Sequence, residues 1–429
     1  MTGRLWLISL LVFFFSFLGL ATVKGALLAL ALPLLVYLGA AILLMPSEIE
    51  LEVQRSLSAR RVNHGSPVTI EISITNQGPS MEEVLLEDRL SILPENIQGE
   101  LSRIVRFPKG QTLGWNYTVH PKRGRYRLEG IRATASDPFG LFQRHRMLPG
   151  SGEFLVYPQV IELRSIQIAP HQTHGFAGPI PAHKPGSGVD FYGVRQYQLG
   201  DALRRINWRV SARHERGLYT NEFEQDSIAD VGIILDSRQQ SHIVTDQGAL
   251  FEYSVLAAAS LASAFLHEGH RVGLLVYGAS LDRTFPGYGR RQRERILRSL
   301  ARAQTGLSFV LESLSRLPTR FFPSRSQLVM VSPLMMNDLS VLLRLRANGY
   351  SLLIVSPNPV VFESRSFNAG TVANFPTRLA RIERVLLLRK LRHAGIQVVD
   401  WPVHQPLGSV IHASLFRRPA PHSLNRIPL

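Results

Sequence analysis

Two apolar stretches at the amino terminus constrain the architecture of this chain most. Residues 5–23 and residues 26–45 contain no charged side chains and are separated by Lys24 and Gly25. Each stretch is close to the roughly 20 residues that an α-helix needs to cross the hydrocarbon core of a bilayer. We therefore predict a transmembrane helical hairpin over residues 1–46, with the rest of the chain outside the membrane.

A cleaved secretory signal is the alternative interpretation of the first stretch. Arg4 followed by an apolar run resembles the charged start and the hydrophobic middle of such a signal. Cleavage would still leave residues 26–45 in need of a membrane, which favours the hairpin. Pro33 is compatible with a second spanning helix, because neighbouring groups in a membrane satisfy the carbonyl that a proline frees.

The basic residues near the hairpin predict its orientation. They are Arg4, Lys24, Arg55, Arg60 and Arg61, so that most of them flank the outer ends of the two spans. Cytoplasmic flanks are the ones that carry excess Lys and Arg. We therefore expect a multi-pass protein of the inner (cytoplasmic) membrane, with its amino terminus and its soluble domains in the cytoplasm.

Composition limits the classes of partner and chemistry. The formal net charge is +16 and the chain has no cysteine, which excludes disulfides, thiolate metal ligands and a thiol nucleophile. An arginine-rich excess suits a surface near anionic headgroups, so membrane lipid is an expected partner. The basic residues are not interleaved with aromatics in a recognisable module, and no nucleic-acid partner is expected. Nucleic-acid binding through the arginines, with steep salt dependence, is kept as a second alternative.

Residues 47–160 have the pattern of an all-β domain. Apolar and polar residues alternate, as in residues 68–74, between turn signals such as Asn63-His64-Gly65. This spacing predicts an immunoglobulin-like β-sandwich. Further strands are predicted at residues 84–88, 101–107, 113–120, 124–135 and 153–157. Residues 137–140 are interpreted as a structural turn with an aromatic plug.

Residues 161–228 are predicted to combine a linker with a polar signature segment. Up to about residue 188 the chain is rich in His, Pro and Gly, which suits a linker that crosses a surface. His171, His174 and His183 are not spaced like a helical pair of metal ligands, and no acidic residue is nearby. Loop histidines are therefore favoured over a metal site.

The signature segment combines aromatic, acidic and guanidinium side chains at fixed spacing. The candidate partner-binding residues are Arg195, Tyr197, Gly200, Asp201, Arg204, Arg205, Trp208, Ser211 and Arg213. A helix that begins near Asp201 would bring Arg204 and Trp208 within about one turn of each other. Arg and Trp are favoured at binding hot spots, which indicates a docking surface. The alternative, left open by the residues alone, is that Asp201 caps the helix, Trp208 is core and the arginines are solvated.

Residues 229–405 alternate strands and helices, which predicts a doubly wound parallel sheet with its crevice at the carboxyl ends of the strands. Strands are predicted at residues 231–235, 271–277, 327–332, 351–356 and 396–401, and helices at 249–267, 289–303, 309–317, 338–347 and 377–394. Asp236 ends the first strand, but no Gly-rich phosphate loop and no Gly-x-Ser-x-Gly elbow follows it. The proline-containing residues 406–429 are predicted to be a loose tail.

Several motifs resemble a bacterial and archaeal family, the domain of unknown function 58 (DUF58). They are Arg195-x-Tyr197-x-x-Gly200-Asp201-x-x-Arg204-x-Ile206-x-Trp208-x-x-Ser211-Ala212-Arg213, the later Glu222, Glu224 and Asp236, and upstream Arg123-Gly124-x-Tyr126 and Asp137-Pro138-Phe139-Gly140-Leu141-Phe142. With the paired amino-terminal spans, the resemblance covers most of the chain. It implies a carboxyl-terminal half similar to a von Willebrand factor A domain.

The resemblance also implies a partner and a modified metal site. Genes of this family often stand beside those of MoxR-type AAA+ ATPases, so an adaptor or assembly factor with such a partner is expected. An intact von Willebrand A domain binds Mg²⁺ through an Asp-x-Ser-x-Ser loop. Asp236 matches its aspartate, but Arg238 and Gln240 replace the serines and Pro333 follows another strand end where an aspartate is frequent. We expect a degenerate site with no metal and no cofactor, in which Asp236 pairs with Arg238 or with a signature arginine.

The function predicted from the sequence is that of a membrane-anchored, non-enzymatic binding or adaptor protein. The alternative is a hydrolase or transferase in which Asp201, Glu222 or Glu224 acts as acid or base while arginines stabilise an anion. A raised pKa on one of these carboxyl groups in a concave site would favour that alternative.

Overall fold

The fold is described from a computed structural model of the chain. It describes residues 3–164, 166, 168, 180–213, 217–246, 248–308, 311, 313–318, 321–323, 326–365 and 374–415, with the backbone alone for residues 180–190, 224–227 and 374–375. The chain divides into two compact units, Met1–Tyr157 and Pro158–Leu429.

The first unit begins with two apolar helices, α1 (Gly3–Thr22) and α2 (Gly25–Leu43). Both are long and apolar enough to cross a membrane, and 11% of the most apolar stretch of each is buried. Large apolar side chains on their surfaces are favourable in lipid and unfavourable in water. The two helices therefore fit the predicted membrane anchor.

Two β-sheets follow in the same unit. One has the strand order β1-β3-β7-β5, and the other has β2-β10-β8-β4-β6 with β9 paired to β8. The strands are β1 (Leu51–Leu57), β2 (Arg61–Val62), β3 (Val68–Asn76), β4 (Met81–Leu90), β5 (Asn96–Gln98), β6 (Ser102–Phe107), β7 (Thr112–His120), β8 (Gly124–Ser136), β9 (Gln143–Leu148) and β10 (Gly152–Val156). β2 and β10 pair in parallel, whereas the other pairs are antiparallel.

The two sheets share one hydrophobic core, as the alternating pattern predicts. Ile70 and Ile72 of β3 contribute from one sheet, and Val84 and Leu86 of β4 contribute from the other. Because successive side chains of a strand point to opposite faces, every second residue of β3 is buried. The predicted strands correspond to β3, β4, β6, β7, β8 and β10, whereas β1, β2, β5 and β9 were not predicted.

The turn between β8 and β9 packs against the two apolar helices. The buried carboxylate of Asp137 accepts hydrogen bonds from the backbone N–H groups of Phe139 (3.1 Å) and Phe142 (2.6 Å). The Phe139 ring lies 4.8 Å from that of Tyr37 in α2. The apolar cluster joins side chains of both helices with those of the turn: Leu5, Ile8, Tyr37, Leu38, Ala41, Phe139, Leu141 and Phe142. The aromatic plug predicted at this turn thus packs against the helical hairpin.

The second unit contains a mixed sheet with the order β17-β16-β13-β18-β19-β20. All neighbours in it are parallel except β17, which pairs antiparallel with β16. Its strands are β13 (Asp230–Ser237), β16 (Arg271–Gly278), β17 (Leu281–Gly287), β18 (Gln327–Val331), β19 (Ser351–Pro357) and β20 (Gln397–Trp401). The remaining strands are β11 (Ile180–Gln196), β12 (Tyr219–Ser227), β14 (Val244–Thr245) and β15 (Gly248–Ala249).

Helices pack against this sheet. They are α4 (Leu250–His267), α5 (Gly289–Arg302), α6 (Leu339–Ala347), α7 (Pro359–Ser364), α8 (Asn374–His393) and α9 (Leu407–Leu415). The short helix α3 (Trp208–Ser211) contacts β12 instead. Side chains of α6 and α8 share a core with Ile234, Met330 and Ile354 of the strands. α4 is also long and apolar enough to cross a membrane, but 67% of its apolar window is buried in the protein, so it is a core helix.

Several features of the second unit differ from what the sequence predicts. β11 begins at Ile180, inside the predicted linker, and β17 was not predicted. The helix predicted at residues 309–317 is a 3₁₀ turn at Leu314–Arg316 within the described part of that stretch. α9 lies in the predicted tail, because Leu407, Val410 and Ile411 have helical spacing and are buried. Residues 416–429, His171 and His174 lie outside the described residues, as does the side chain of His183.

Candidate docking site

The signature segment connects the two strands of an antiparallel hairpin in the second unit. Gln196 at the end of β11 pairs with Tyr219 at the start of β12, and Val194 pairs with Asn221. Residues 197–218 therefore leave and re-enter the hairpin at neighbouring positions. A 3₁₀ turn at Leu203–Arg205 and the single helical turn α3 lie between the strands.

Arg195 is the centre of an ion-pair network inside this segment. Its Nη1 and Nη2 atoms donate to the two carboxylate oxygens of Asp201 at 2.8 and 2.7 Å, and its Nε donates to Glu222 at 2.7 Å. Asp201 also accepts a hydrogen bond from the N–H of Gln198 at 2.8 Å. A guanidinium that binds one carboxylate with two hydrogen bonds fixes both position and orientation. The network therefore closes the base of the segment.

This geometry corrects the prediction for Asp201. The residue does not begin or cap a helix, because its carboxylate is committed to Arg195. The hydrogen bonds from Arg195 lower the pKa of Asp201, and the same bonds raise the pKa of Arg195. Asp201 is thus a poor candidate for a general acid near neutral pH. Glu222 is bound by the same guanidinium, that of Arg195. The side chain of Glu224 lies outside the described residues.

Tyr197 and Gly200 shape the turn that carries Asp201. The N–H of Tyr197 donates to the carbonyl of Leu218 at 2.8 Å, and its hydroxyl donates to the carbonyl of Asp201 at 3.3 Å. Gly200 has φ of +107°, a conformation that side chains other than glycine rarely adopt. Both signature positions therefore have structural roles.

Asn207, which the sequence analysis missed, caps α3. Its Oδ1 accepts from the N–H of Val210 at 3.0 Å, and its Nδ2 donates to Asn221 of β12 at 2.7 Å. Ser211 closes the other side, since its hydroxyl donates to the carbonyl of Asn207 and accepts from the N–H of Tyr219, each at 2.8 Å. An Asn directly before a helical turn is a strong capping signal and could have identified this role. α3 is thereby attached to β12.

Three of the remaining signature residues, Arg204, Trp208 and Arg213, are exposed. Trp208 is 66% exposed and Leu203 is 69% exposed, so the interpretation of Trp208 as a core residue is wrong. Arg204, Arg209 and Arg213 are exposed beside them. We call Leu203, Arg204, Trp208, Arg209 and Arg213 the Trp208 surface.

Arg205 differs from its arginine neighbours. It is half-buried, and its guanidinium carbon lies 5.2 Å from the centre of the Phe223 ring, within the range of a cation–π contact. It therefore helps to hold the segment on β12.

A second cluster of candidate residues lies at the carboxyl end of β13, where the guanidinium of Arg238 occupies the space between two carboxylates. Nε and Nη2 of Arg238 donate to Asp236 at 2.9 and 2.8 Å, and Nη1 and Nη2 donate to Asp338 at 2.9 Å each. Ser332 donates to Asp236 at 2.7 Å. All four side chains are buried. The expected pairing of Asp236 with Arg238 is therefore present in the structure.

Charge and burial oppose each other in this cluster. Burial by itself raises the pKa of Asp236, but the hydrogen bonds and the positive charge of Arg238 outweigh it and lower that pKa. Burial likewise disfavours the charge of Arg238, yet its two carboxylate partners raise its pKa. The Nε2–H of His242 donates to the carbonyl of Asp236 at 2.7 Å, and burial lowers the pKa of this histidine. The carboxyl end of β13 thus contains a buried Asp–Arg–Asp triad.

The side chains of Asp236, Asp338 and Ser332 have oxygen atoms of the kind that bind a hard cation. The Arg238 guanidinium, however, binds both carboxylates. A positive charge in this position repels a metal ion. Among the described residues, no group of three or more His, Cys, Asp or Glu side chains is placed to bind a metal.

A second buried arginine fills the neighbouring part of the same edge. Arg384 of α8 donates to Asp400 at 2.8 Å, to the hydroxyl of Ser356 at 2.9 Å and to the carbonyl of Pro333 at 2.8 Å. The cavity beside Arg238 has a volume of about 50 Å³. Ligand pockets usually measure about 300–1,000 Å³, so this cavity is too small for a typical ligand.

These features define a class of protein, in which two apolar amino-terminal helices and a β unit precede a mixed α/β unit that carries the signature hairpin. Residues 193–359 match the family model described as "Protein of unknown function DUF58". The match includes the Trp208 surface and the triad of Asp236, Arg238 and Asp338.

One curated relative is an uncharacterised protein, YeaD, of Bacillus subtilis (strain 168). The two sequences are 26% identical over 237 residues, which are 53% of this chain and 56% of the relative. The chain thus spans about half the length of the curated relative that it matches.

Similarities to solved structures are much weaker. A CARDB domain from Pyrococcus furiosus, crystallised with di-metal ions, matches 26% of this chain and 97% of its own length, with 18% identity and a TM-score of 0.18. A beta-glucosidase from Listeria innocua, in complex with glucose, matches 26% of this chain and 16% of its own length, with 16% identity and a TM-score of 0.17. Scores of this size carry no argument about fold or function.

Proposed function

We propose that this chain is a membrane-anchored, non-enzymatic adaptor that binds a MoxR-type AAA+ ATPase through the Trp208 surface. The anchor is the helical hairpin in the inner (cytoplasmic) membrane, and the soluble units lie in the cytoplasm. The choice of partner rests on the resemblance to DUF58 proteins. The choice of surface rests on the exposure of Trp208.

The exposed Trp208 carries this proposal. A solvated tryptophan is costly, because burying a large aromatic side chain is worth about 2–3 kcal/mol. Its neighbours Arg204, Arg209 and Arg213 are exposed as well, whereas Arg195 and Arg205 are held inside the segment. Tryptophan and arginine dominate the hot spots of protein interfaces. An internally braced segment that presents them outward is preorganised for a partner.

The proposal includes an immunoglobulin-like assignment for the β unit. The hydroxyl of Tyr126, at the start of β8, donates to the carbonyl of Lys122 four residues upstream at 3.1 Å. A tyrosine that bonds back to the preceding backbone near a strand start is a feature of immunoglobulin-like sandwiches. The shared core of the two sheets also supports this assignment.

It also includes a von Willebrand A-like assignment for the α/β unit. Asp236 stands at the end of β13, where such domains hold the first metal ligand, and Arg238 takes the place of the ion. A partner's carboxylate could then not be bound through Mg²⁺ at this edge. For this reason we assign partner binding to the hairpin.

The test is co-purification of the full chain from gently solubilised membranes, followed by binding of the purified ATPase. We expect the ATPase to accompany the parent chain and to be lost with Arg204→Glu/Arg213→Glu and with Trp208→Ala. Loss of a hot-spot side chain costs at least ~2 kcal/mol, which weakens binding about thirtyfold. The matched control is Arg290→Glu/Arg291→Glu, which reverses two exposed arginines of α5 in the same unit.

Two outcomes would contradict the proposal. The ATPase could be retained equally by all folded variants, which would exclude the Trp208 surface. It could also fail to bind the parent chain at all, which would exclude the partner.

A further inference from the structure

We propose that helix α8 lies on the surface of an anionic bilayer through the face that it turns away from the sheet. This face, called the α8 outer face, consists of Leu379, Ile382, Val385 and Leu386 together with Arg378, Arg381, Arg389 and Lys390. The inference goes beyond the proposed function, because it concerns another surface and another kind of partner.

The orientation of α8 is fixed by its opposite side. Arg384, Leu387, Leu388 and Leu391 are buried, and the three leucines belong to the core that α6 and α8 share with the sheet. Arg384 is bound to Asp400 of β20. With 3.6 residues per turn, these positions lie on one side of the helix, so Ile382 and its neighbours point away from the sheet.

Four large apolar side chains are exposed on the α8 outer face. Leu379, Ile382, Val385 and Leu386 are between 45% and 57% exposed. The spacing of Leu379, Ile382 and Leu386 is i, i+3, i+7, which places them in one stripe. Single exposed apolar residues are common, but a stripe of this kind indicates a contact that the isolated chain does not make.

The basic helix α5 is a useful comparison, because it has no such stripe among its described residues. α5 also exposes several arginines, including Arg290, Arg291 and Arg295. Its apolar side chains Ile296 and Leu300, in contrast, are fully buried. Positive charge alone is therefore a general property of the unit, whereas charge combined with exposed apolar area is found on α8.

Charge complementarity identifies the occupant as anionic. Four basic residues border the apolar stripe, and Glu383 is the acidic residue on the exposed part of the helix. Helices that lie in the membrane interface combine an apolar face with Lys and Arg at its borders. The long basic side chains reach the headgroups while the apolar side chains enter the acyl boundary.

The apolar hairpin favours a bilayer over a free partner. α1 and α2 are long and apolar enough to keep the chain at a membrane. For a tethered helix, the bilayer is present at a high effective concentration. A contact too weak to recruit a free protein is then sufficient to hold α8 at the surface.

The absence of cysteine from the chain allows a direct test. A single cysteine introduced by Ile382→Cys in the full chain is labelled with an environment-sensitive fluorophore. The protein is reconstituted into vesicles of phosphatidylcholine, with or without phosphatidylglycerol, that contain nitroxide-labelled lipid. Arg295→Cys on α5 provides the matched control.

We expect the probe at position 382 to be quenched by the nitroxide lipid in vesicles that contain phosphatidylglycerol, and the probe at position 295 to remain unquenched. In the background Arg378→Gln/Arg381→Gln/Arg389→Gln, quenching at position 382 should be lost. Each basic residue near an anionic surface changes the docked-to-free ratio about fivefold, so three changes reduce it about a hundredfold.

Three results would overturn the proposal. Quenching at position 382 could equal that at position 295, which would show no membrane contact. It could be equal with and without phosphatidylglycerol, which would exclude recognition of anionic lipid. In detergent, the probe could become more buried as the protein concentration rises. That result would show that a second copy of the chain covers the α8 outer face.

Discussion

Arg238 holds two buried carboxylates that would otherwise repel each other. Asp236 and Asp338 bind two adjacent edges of its guanidinium, which donates four hydrogen bonds to them and shares Nη2 between both. Buried ion pairs of this kind add little net stability compared with apolar residues, but removing one partner leaves uncompensated charge. Arg238 is therefore important chiefly because its loss would leave two buried carboxylates without a counter-ion.

We expect Arg238→Ala to destabilise the second unit by about 3–5 kcal/mol, because two buried carboxylates lose their counter-ion. Thermal and denaturant unfolding of the detergent-solubilised chain would measure this loss. Arg298→Ala is the control, since Arg298 forms a half-exposed i, i+4 pair with Glu294 on α5. Such a pair contributes at most ~0.5 kcal/mol. Equal effects of the two substitutions would contradict the role assigned to Arg238.

The same site leads to a prediction about Mg²⁺. The stability of the parent chain should not change with millimolar Mg²⁺, because the guanidinium already binds both carboxylates and repels a second cation. In Arg238→Ser, we expect Mg²⁺ to recover part of the lost stability, since carboxylate and hydroxyl oxygens suit this ion. Unfolding temperatures with and without the ion would test both statements. A Mg²⁺-dependent increase in the parent chain that disappears in Asp236→Ala would contradict them.

At the scale of residues, the sequence predicts local contacts better than distant ones. The pairing of Asp236 with Arg238 could be predicted because the residues are adjacent to the same strand end. Asp338 is 100 residues further along the chain. Its contribution depends on the order of strands β13 and β18, which the spacing of motifs does not determine. Asp201 was predicted to cap a helix because aspartate favours that position. In the structure its carboxylate accepts two hydrogen bonds from Arg195 instead.

At the scale of elements, the signature hairpin is held by side-chain contacts more than by a hydrophobic core. Arg195, Asp201 and Glu222 close its base, and Asn207 and Ser211 attach α3 to β12. Among the residues described between positions 197 and 213, Ile206 is a buried hydrophobic residue. The segment should therefore open locally when its polar network is cut, without unfolding of the sheet.

We expect Arg195→Ala to increase tryptic cleavage at Arg204, Arg209 and Arg213 several-fold at unchanged global stability. The reason is that Asp201 and Glu222 lose the guanidinium that joins them. Limited proteolysis with mass spectrometry would locate the cuts. Arg290→Ala, an exposed position on α5, should leave the pattern unchanged. Cleavage spread over the whole unit would show instead that Arg195 supports the global fold.

Regular elements followed from periodicity, whereas irregular ones did not. β3 and β13 have the alternating and the continuous apolar patterns of half-buried and fully buried strands, and both were predicted. β11 was missed because the Pro- and Gly-rich composition of residues 180–190 is typical of a linker. α9 was not predicted because the prolines on either side of it, such as Pro406 and Pro419, are typical of a tail, and the apolar repeat of Leu407, Val410 and Ile411 is short.

At the scale of the whole molecule, the first unit depends on the helical hairpin. The turn at residues 137–142 buries Leu141 and Phe142 against Leu5 and Ala41. The apolar surfaces of α1 and α2 therefore have a lipid-facing part and a protein-facing part. The anchor is a component of the fold as well as a tether.

We expect deletion of residues 1–46 to release the chain from the membrane fraction and to make it aggregate, because the apolar turn becomes exposed. Adding Phe139→Ser to the deletion should reduce aggregation, since it removes part of the exposed patch. Fractionation and light scattering would measure both effects. Deletion that gives a fully monomeric, stable chain without the second change would show that the turn needs no cover.

The Asp137–Phe142 turn also has a consequence for biosynthesis. The ribosome releases the hairpin first and the turn much later, so the helix surface that the turn contacts is synthesised before β8 and β9 emerge. A nascent chain whose helices failed to insert would keep its plug unburied, and quality-control proteases could recognise it by that defect.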